Sequence, residues 1–196
     1  MEQITNSVKS IVKINETEEA AFTSILSVKT FKKKEFLLEE GRICNKIFFI
    51  NSGCTRVFYN VDGVENTVQF FFAGGWYTDF QSFLTGQPTV ENMQALENAE
   101  VVYFEKEDIY KLYNAHPVFD RVGRILAENA FLSISRLNQM MKNQEPEERY
   151  LNLLKQRPEL VNKIPQHYIA SYLGIKPESL SRIRKRLHDA AVKKRI

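Results

Sequence analysis

Between residues 30 and 105, short apolar and aromatic runs alternate with turn residues such as Asn51-Ser52-Gly53, Asp62-Gly63 and Gly74-Gly75. This spacing is typical of an antiparallel sandwich or barrel. The runs that predict strands are 36–38, 46–50, 55–59, 67–72, 92–96 and 101–104. Eight strands in a jelly-roll fit the pattern better than a meander. We therefore expect an α+β chain that opens with a double-stranded β-helix, or jelly-roll, domain.

Helical periodicity flanks this region. It predicts short helices at 16–28 and 107–115 and a long helix from 118 to 143. Two neighbouring stripes make the apolar face of the long helix too wide for a single seam. One stripe can cover the β domain while the other meets a second copy of the chain; a purely intramolecular cover is the alternative. The candidate dimer-helix residues are Phe119, Val122, Leu126, Asn129, Ser133, Leu137 and Met140.

Gln144-Glu145-Pro146 ends the long helix and is the natural boundary. We predict a sensor domain at 1–116, a linking and dimerisation helix at 117–145, and a second domain at 146–196. Charge supports the division, since residues 1–146 carry 15 Lys and Arg against 19 Asp and Glu, whereas residues 147–196 carry 12 against 5. A basic module of net charge +7 favours a polyanion as partner, although a merely solvated basic surface has the same composition.

The sharpest pattern lies at 164–187, where two short amphipathic helices flank a tight turn. Gly174 suits the end of the first helix, and Pro177 suits the first turn of the second. The predicted buried positions are Ile169, Ala170, Leu173, Leu180, Ile183 and Leu187. The pattern predicts a helix-turn-helix whose second helix enters a major groove. The alternative is an ordinary helical hairpin with a basic outer face.

The outward positions of the second helix supply the candidate DNA contacts. Arg182 is the best base reader because a guanidinium bonds guanine O6 and N7 as a fork. Glu178 can accept from cytosine or simply stabilise the helix dipole. Ser179 and Ser181 can reach phosphate or base. The remaining basic residues are expected at phosphates: Lys185, Arg186, Lys193, Lys194 and Arg195.

Composition removes several classes of protein. No run of 18 apolar residues predicts a membrane span, and the first residues lack a secretory pattern. Two cysteines, Cys44 and Cys54, cannot build a disulfide framework or hold an iron–sulfur cluster. We expect a reducing cytoplasm, no metal and no cofactor. Buried, inert thiols are the favoured state of both cysteines, with a redox response as the alternative.

In domain order the chain resembles the Crp/Fnr family of bacterial transcription regulators. The resemblance covers essentially the whole chain and includes segments 36–41, 48–53 and 72–79. It implies a cyclic-nucleotide-type sensor domain and a homodimer that binds palindromic double-stranded DNA. It also implies that effector binding acts on DNA binding through the long helix. RNA polymerase and an unidentified small-molecule effector are candidate partners. A β-hairpin wing, usual in the family, is expected to be reduced or absent.

The same resemblance places a candidate effector pocket at Thr78, Asp79, Phe80, Thr89 and Val90. In nucleotide-binding members a glutamate holds the ribose and a following arginine neutralises the phosphate. Here Asp79 can replace the glutamate, but no Arg or Lys occurs between Arg56 and Lys106, and Glu91 occupies the region of the arginine. We therefore predict no tight binding of cyclic AMP. Aromatic residues at 70–83 form either an apolar ligand pocket or, as we favour, core.

Other functions fit the sequence less well. A metal-dependent cupin enzyme needs histidines inside the barrel, but His116, His167 and His188 all lie outside the strand region. A non-DNA regulatory module leaves the basic C-terminal segment unexplained. We predict a sequence-specific, homodimeric DNA-binding regulator that is not an enzyme.

Overall fold

The computed structural model describes residues 1–193, with side chains up to Ala190. In chain order the elements are α1 (Glu2–Ile11), α2 (Glu16–Ser24), β1 (Ser27–Phe31), β2 (Phe36–Leu38), β3 (Lys46–Ser52), β4 (Cys54–Val61), β5 (Val64–Phe72), β6 (Trp76–Tyr77), α3 (Phe80–Thr85), β7 (Glu91–Ala95), β8 (Ala99–Glu105), α4 (Lys106–Ala115), α5 (Val118–Asn143), α6 (Pro146–Gln156), α7 (Pro158–Lys163), α8 (Gln166–Tyr172) and α9 (Pro177–Lys193).

The chain divides into two compact units. Unit 1 comprises residues 1–60 and 69–131. Unit 2 comprises the β4–β5 hairpin tip, residues 61–68, and the chain from Leu132 onward. The division falls within α5 rather than at either of its ends. The ends of α5 themselves coincide with the predicted 118 and 143.

Two four-stranded antiparallel sheets organise the strand region, with strand orders β1-β8-β3-β6 and β2-β7-β4-β5. Side chains from both sheets meet between them: Tyr77 of β6 contacts Phe71 of β5 and Glu91 of β7. We call this space the roll interior. The predicted α+β fold with antiparallel sheets and a long helix is confirmed. The term double-stranded is imprecise, since each sheet has four strands.

Helices cover the opposite face of the β1-β8-β3-β6 sheet. Because strand side chains alternate, Phe49 and Phe104 point away from the roll interior, towards Phe22 of α2 and Phe119 of α5. The rings of Phe22 and Phe119 stack with centroids 5.6 Å apart, and Phe22 meets Phe104 edge-on at 6.1 Å. This aromatic layer is the main core of unit 1.

The N-terminal helices differ from the prediction. Helix α1 was not predicted, although Ile4 and Val8 are fully buried in the unit 1 core. Its i, i+4 spacing was the available signal. The predicted 16–28 helix is too long, because α2 ends at Ser24 and Ser27 already pairs with Tyr103 of β8. Strand pairing outweighs local helix propensity there.

Unit 2 is built from short helices. Leu160 of α7 is completely buried and packs in this unit, where the sequence predicted only a turn around Pro158. Arg149 of α6 donates from Nη1 to the carbonyl of Gln144, 3.1 Å away, and satisfies one of the free carbonyls that follow α5. Among the described residues, every helix is too short or too polar to cross a membrane.

Two glycines with nearly the same φ angle provide a stability test. Gly53 and Gly74 have φ values of +90° and +88°. A Cβ at residue 53 would lie 2.6 Å from the Asn98 carbonyl oxygen, whereas no described atom lies within 4 Å of a Cβ at 74. Gly74→Ala should therefore cost only about 1–2 kcal/mol of backbone strain. Gly53→Ala should cost at least about 1–3 kcal/mol more, as overpacking does. Urea unfolding measures both values, and equal losses would contradict this account.

Candidate nucleic-acid interface and sensor site

Helices α8 and α9 form a tight two-helix segment in unit 2. Ile169, Leu173 and Leu180 are buried between them. Gly174 adopts φ +65°, and the N–H of the following Ile175 donates to the carbonyl of residue 170 at 3.0 Å, which closes the turn. One side of α9 is thus fixed against the unit, and its other side faces solvent.

Most predicted DNA contacts lie on this solvent side. Glu178, Ser181, Arg182, Lys185 and Arg186 are exposed, and Ser179 is half-buried. Arg182 Nη2 donates to Ser179 Oγ at 3.3 Å, so the serine helps to orient the guanidinium. The structure brings all six residues together on one helix.

Arg186 differs from the rest of this set. Its guanidinium pairs with the carboxylate of Glu147, in the first turn of α6. An ion pair within the protein competes with a phosphate contact, so Arg186 is less available than the sequence suggested. Lys194 and Arg195, predicted at phosphates, lie outside the described residues, as does the side chain of Lys193.

Ser171 is a positioning residue that sequence reasoning missed. Its Oγ accepts from the N–H of Thr67 at 2.8 Å and donates to the carbonyl of Glu65 at 2.9 Å. Both partners lie in the hairpin tip of unit 2, more than 100 residues earlier in the chain. Helix α8 is thereby anchored opposite the exposed face of α9. A contact across this sequence distance leaves no local pattern to detect.

In the sensor region, Asp79 has a local partner. Its carboxylate accepts from the N–H groups of Gln81 and Ser82 at 3.0 and 3.2 Å, as the N-cap of α3. These helix-terminal amides are the donors that a phosphate would need. Both amides bond the same carboxylate oxygen, Oδ1, and the replacement of the ribose-binding glutamate by Asp79 stays a prediction.

Glu91 at the start of β7 is half-buried, and its carboxylate reaches into the roll interior. It accepts from the hydroxyls of Tyr59 and Tyr77 at 2.7 and 2.5 Å. Burial, reinforced by the Glu91 carboxylate, raises the pKa of both tyrosines above their usual value. Both phenols thus remain protonated donors to a carboxylate, which makes the site unfavourable for an anion.

Arg56 lies on the same strand as Tyr59 and is almost completely buried. It stands three residues before Tyr59 on β4, so the two side chains point to opposite faces of the sheet. Its Nη2 donates to Gln94 Oε1 at 2.8 Å, and its guanidinium lies 4.0 Å above the Phe58 ring.

The other predicted effector residues do not converge. Thr89 is buried and its Oγ1 accepts from the N–H of Glu91, whereas Val90 is exposed to solvent. Thr78 is buried and donates to the carbonyl of Lys46, and Phe80 is half-buried. The five residues therefore do not line one pocket, because alternate positions of an extended segment face opposite ways.

The exposure of the side chains along α5 shows which of its apolar residues a second copy of the chain could contact. Phe119 and Val122 are buried in the unit 1 core, so these two predicted dimer residues are unavailable to a partner. Asn129 is exposed, and the remaining predicted residues are half-buried: Leu126, Ser133, Leu137 and Met140. The most exposed apolar residues, Phe131 (71%), Leu132 (48%) and Ile134 (58%), were left out of the predicted set.

The cysteines and the possible metal ligands are the remaining candidates for chemistry. Cys44 and Cys54 are both buried, and neither takes part in a disulfide. Nowhere in the part of the chain that the structure describes do three or more His, Cys, Asp or Glu residues gather around a point where a metal could bind.

Comparisons with known proteins agree with this fold. Residues 28–116 match the family model of the cyclic nucleotide-binding domain. Comparison with curated protein sequences gives no match. FixK2 from Bradyrhizobium japonicum is similar in structure, with a TM-score of 0.73 and 16% identity over 85% of this chain and 86% of that one.

Two other solved structures are similar to comparable extents. A CooA variant from Carboxydothermus hydrogenoformans gives a TM-score of 0.70 at 16% identity, over 94% of this chain and 84% of that chain. The c-di-GMP-responsive global regulator CLP of Xanthomonas campestris gives 0.69 at 15% identity, over 90% and 93%.

The strand region is thus a domain of the cyclic nucleotide-binding type. The neighbours in structure are Crp/Fnr family regulators, which confirms the resemblance seen in the sequence. At 15–16% identity the likeness to these structures shows the shared fold and does not assign roles to individual residues.

The Glu91 cluster predicts an alkaline loss of stability. Because the pKa of Tyr59 and Tyr77 is raised in the folded state, the unfolded chain releases these protons first as the pH rises above about 10. The free energy of unfolding should therefore fall from that pH upwards. Tyr59→Phe should make this fall shallower, and Glu91→Gln should do so by lowering the pKa of both phenols. Guanidinium unfolding at pH 8, 10 and 11 measures the effect; identical pH dependence in all three proteins would refute it.

Proposed function

We propose that this protein is a sequence-specific DNA-binding transcription regulator of the Crp/Fnr type. In this proposal α8 and α9 are a helix-turn-helix, and α9 is the recognition helix. The observation that carries it is the two-sided character of α9. Leu180 and Ile183 anchor one side, while Arg182 and Lys185 stand exposed on the other. That is the arrangement by which a helix enters a major groove.

The exposed residues divide by chemistry. Arg182, steadied by Ser179, is the proposed reader of guanine. Glu178 and Ser181 flank it, whereas Lys185 provides a point charge for phosphate. Arg186 contributes to DNA binding only after its pair with Glu147 opens.

The sensor domain has the nucleotide-binding fold without the chemistry to bind a cyclic nucleotide. Asp79 already occupies the amides at the start of α3, and Glu91 lies in the segment where the resemblance would require an arginine. Two carboxylates without a neutralising cation strongly disfavour a buried anion. The c-di-GMP response named for CLP therefore does not extend to this chain. We propose a cytoplasmic regulator, without enzyme activity, whose DNA binding needs no cyclic nucleotide.

The regulator is proposed to act as a homodimer through α5. The exposed Leu132 and Ile134 on this helix are apolar side chains of the kind that a second copy would cover. A two-fold dimer presents two copies of α9 and so reads a palindrome. A non-DNA regulatory module is the alternative function, and RNA polymerase is the candidate partner at a promoter.

Selection of duplexes from a random pool tests the function. The purified full-length chain, without added nucleotide, should enrich a palindromic sequence. Adding cyclic AMP should change neither the sequence nor its affinity, and calorimetry should detect no cyclic AMP complex at micromolar concentrations. Enrichment of only nonspecific, salt-sensitive fragments would support the non-DNA alternative.

Paired variants of α9 separate base reading from phosphate contact. Arg182→Ala should cost about 1–3 kcal/mol on the selected site and relax the preference at one base pair per half-site. Lys185→Ala should instead weaken all duplexes alike and lower the salt slope by about one unit. Fluorescence anisotropy at several salt concentrations distinguishes the two. An unchanged base preference in Arg182→Ala would remove this residue as a reader.

A second pair of variants tests the dimer. Ile134→Glu places a charge on the exposed apolar surface of α5 and should convert the protein to a monomer in sedimentation velocity runs. Gln139→Glu, at an exposed polar position about 140° around the helix from Ile134, is the matched control and should remain dimeric. The monomeric variant should lose its preference for a full palindrome over a half-site. A dimer that survives Ile134→Glu would exclude this surface.

A further inference from the structure

Unit 1 contains a cavity of about 300 Å³ outside the roll interior. It lies on the helix-covered face of the β1-β8-β3-β6 sheet, between α3, α4 and the first half of α5. Aromatic side chains provide much of its wall, among them Trp76, Phe83, Phe104 and Phe119. Leu84, which is exposed, lies at its open side.

The size and lining of this cavity suit a small apolar molecule. Protein interiors contain few voids larger than a water molecule. An apolar cavity of about 150 Å³ is enough to bind benzene, and small-molecule sites begin at about 300 Å³. The cavity therefore has room for a flat molecule of two fused rings, stacked among aromatic side chains.

One polar group is available in the wall. The hydroxyl of Tyr113 on α4 lies against Gly123 of α5, where any side chain would collide with it. Among the described residues the structure records no hydrogen bond for this hydroxyl, and burial, with Asp120 adding to it, raises the pKa of Tyr113 to about 12. The group thus stays protonated and free to donate to or accept from a ligand.

The charges near the cavity select against anions. Asp120 lies in the wall, and the cation beside it, Arg124, is already paired with Glu128 at 2.6 Å. A second cation, Lys106, lies over the rings of Phe83 and Tyr110 and donates to the carbonyl groups of Phe83 and Leu84. An anionic ligand would therefore face the Asp120 carboxylate while both nearby cations are engaged within the protein. A neutral ligand avoids this cost.

We propose that this cavity is a binding site for an uncharged, flat, bicyclic aromatic molecule that hydrogen-bonds to the Tyr113 hydroxyl. The lining of this cavity does not include Tyr59 or Glu91, which meet in the roll interior. Of the five residues predicted for an effector pocket, Thr78 and Phe80 reach this cavity. The binding itself is independent of DNA; its role as an effector site rests on the proposed function.

Calorimetry with 2-naphthol as the probe tests the site. The full-length protein should bind about one 2-naphthol per chain with micromolar affinity. Naphthalene-2-carboxylate, the same ring system with a negative charge, should bind at least tenfold more weakly. Trp76 is the single tryptophan of the chain and lies in the wall, so 6-bromo-2-naphthol should quench its fluorescence. No heat and no quenching, or equal affinity for the carboxylate, would overturn the proposal.

Substitutions locate the ligand. Tyr113→Phe should weaken 2-naphthol binding threefold to tenfold, the worth of one hydrogen bond, and leave naphthalene binding unchanged. Tyr103→Phe, on β8 away from the cavity lining, is the matched control and should alter neither affinity. Equal losses for both ligands in Tyr113→Phe would show a structural effect and overturn the assigned hydrogen bond.

Filling the cavity provides an independent measurement. Ala127 and Ala130 on α5 line it, and either Ala127→Phe or Ala130→Phe should abolish binding of both ligands, so the test survives misfolding of one variant. Asn138→Phe, on the same helix outside the lining, should bind normally. Unchanged binding in the filled variants would refute this location. Affinity that falls as the protein dimerises would show that the second subunit fills the cavity, which also overturns the proposal.

Measuring DNA binding with and without 2-naphthol distinguishes the proposed regulator function from the proposed ligand site. If 2-naphthol binds and changes affinity for the selected palindrome, the site is an effector site. Binding of 2-naphthol to a protein that selects no DNA sequence would overturn the proposed function alone. Selection of a palindrome by a protein that does not bind 2-naphthol would overturn this inference alone.

Discussion

The aromatic layer between the β1-β8-β3-β6 sheet and its helices is the interaction on which unit 1 depends. Phe22 joins the sheet, through Phe104, to α5, through Phe119. A sheet with two apolar faces needs a cover on each, and helices are the only large apolar surfaces available to this one. The first two turns of α5 are therefore committed to the core. The apolar side chains further along the same helix are left for other contacts.

The polar groups of the roll interior are linked to one another. Residues 28–116 match the cyclic nucleotide-binding domain, and within it Glu91 and two phenols form one hydrogen-bonded group. Hydrogen bonds from Tyr59 and Tyr77 satisfy Glu91 within the protein. Removal of any one of these three groups would leave the others without a hydrogen-bond partner, so the group is expected to act as a unit.

The sequence predicted what depends on neighbours along the chain. The ends of α5, the buried stripes of α8 and α9 and the left-handed Gly174 all follow from local periodicity and turn chemistry. Contacts between residues that are far apart in the sequence could not be predicted from it. The hydrogen bonds of Ser171 with the hairpin tip, the pair of Arg186 with Glu147 and the core positions of Phe119 and Val122 exist only once the chain has folded. Asp79 was predicted to replace a ribose-binding glutamate, whereas its role as a helix cap needed the start of α3 to be known.

Asp79 directly precedes α3, so the carboxylate that caps this helix is always next to it. In a domain that borrows this anion from a ligand, folding and ligand supply are linked, because each bound phosphate stabilises the native state by mass action. Asp79 is covalently part of the chain, so no such linkage exists for α3. The N-cap of α3 is therefore present at any ligand concentration. The melting temperature of this domain should accordingly not change when cyclic nucleotides are added.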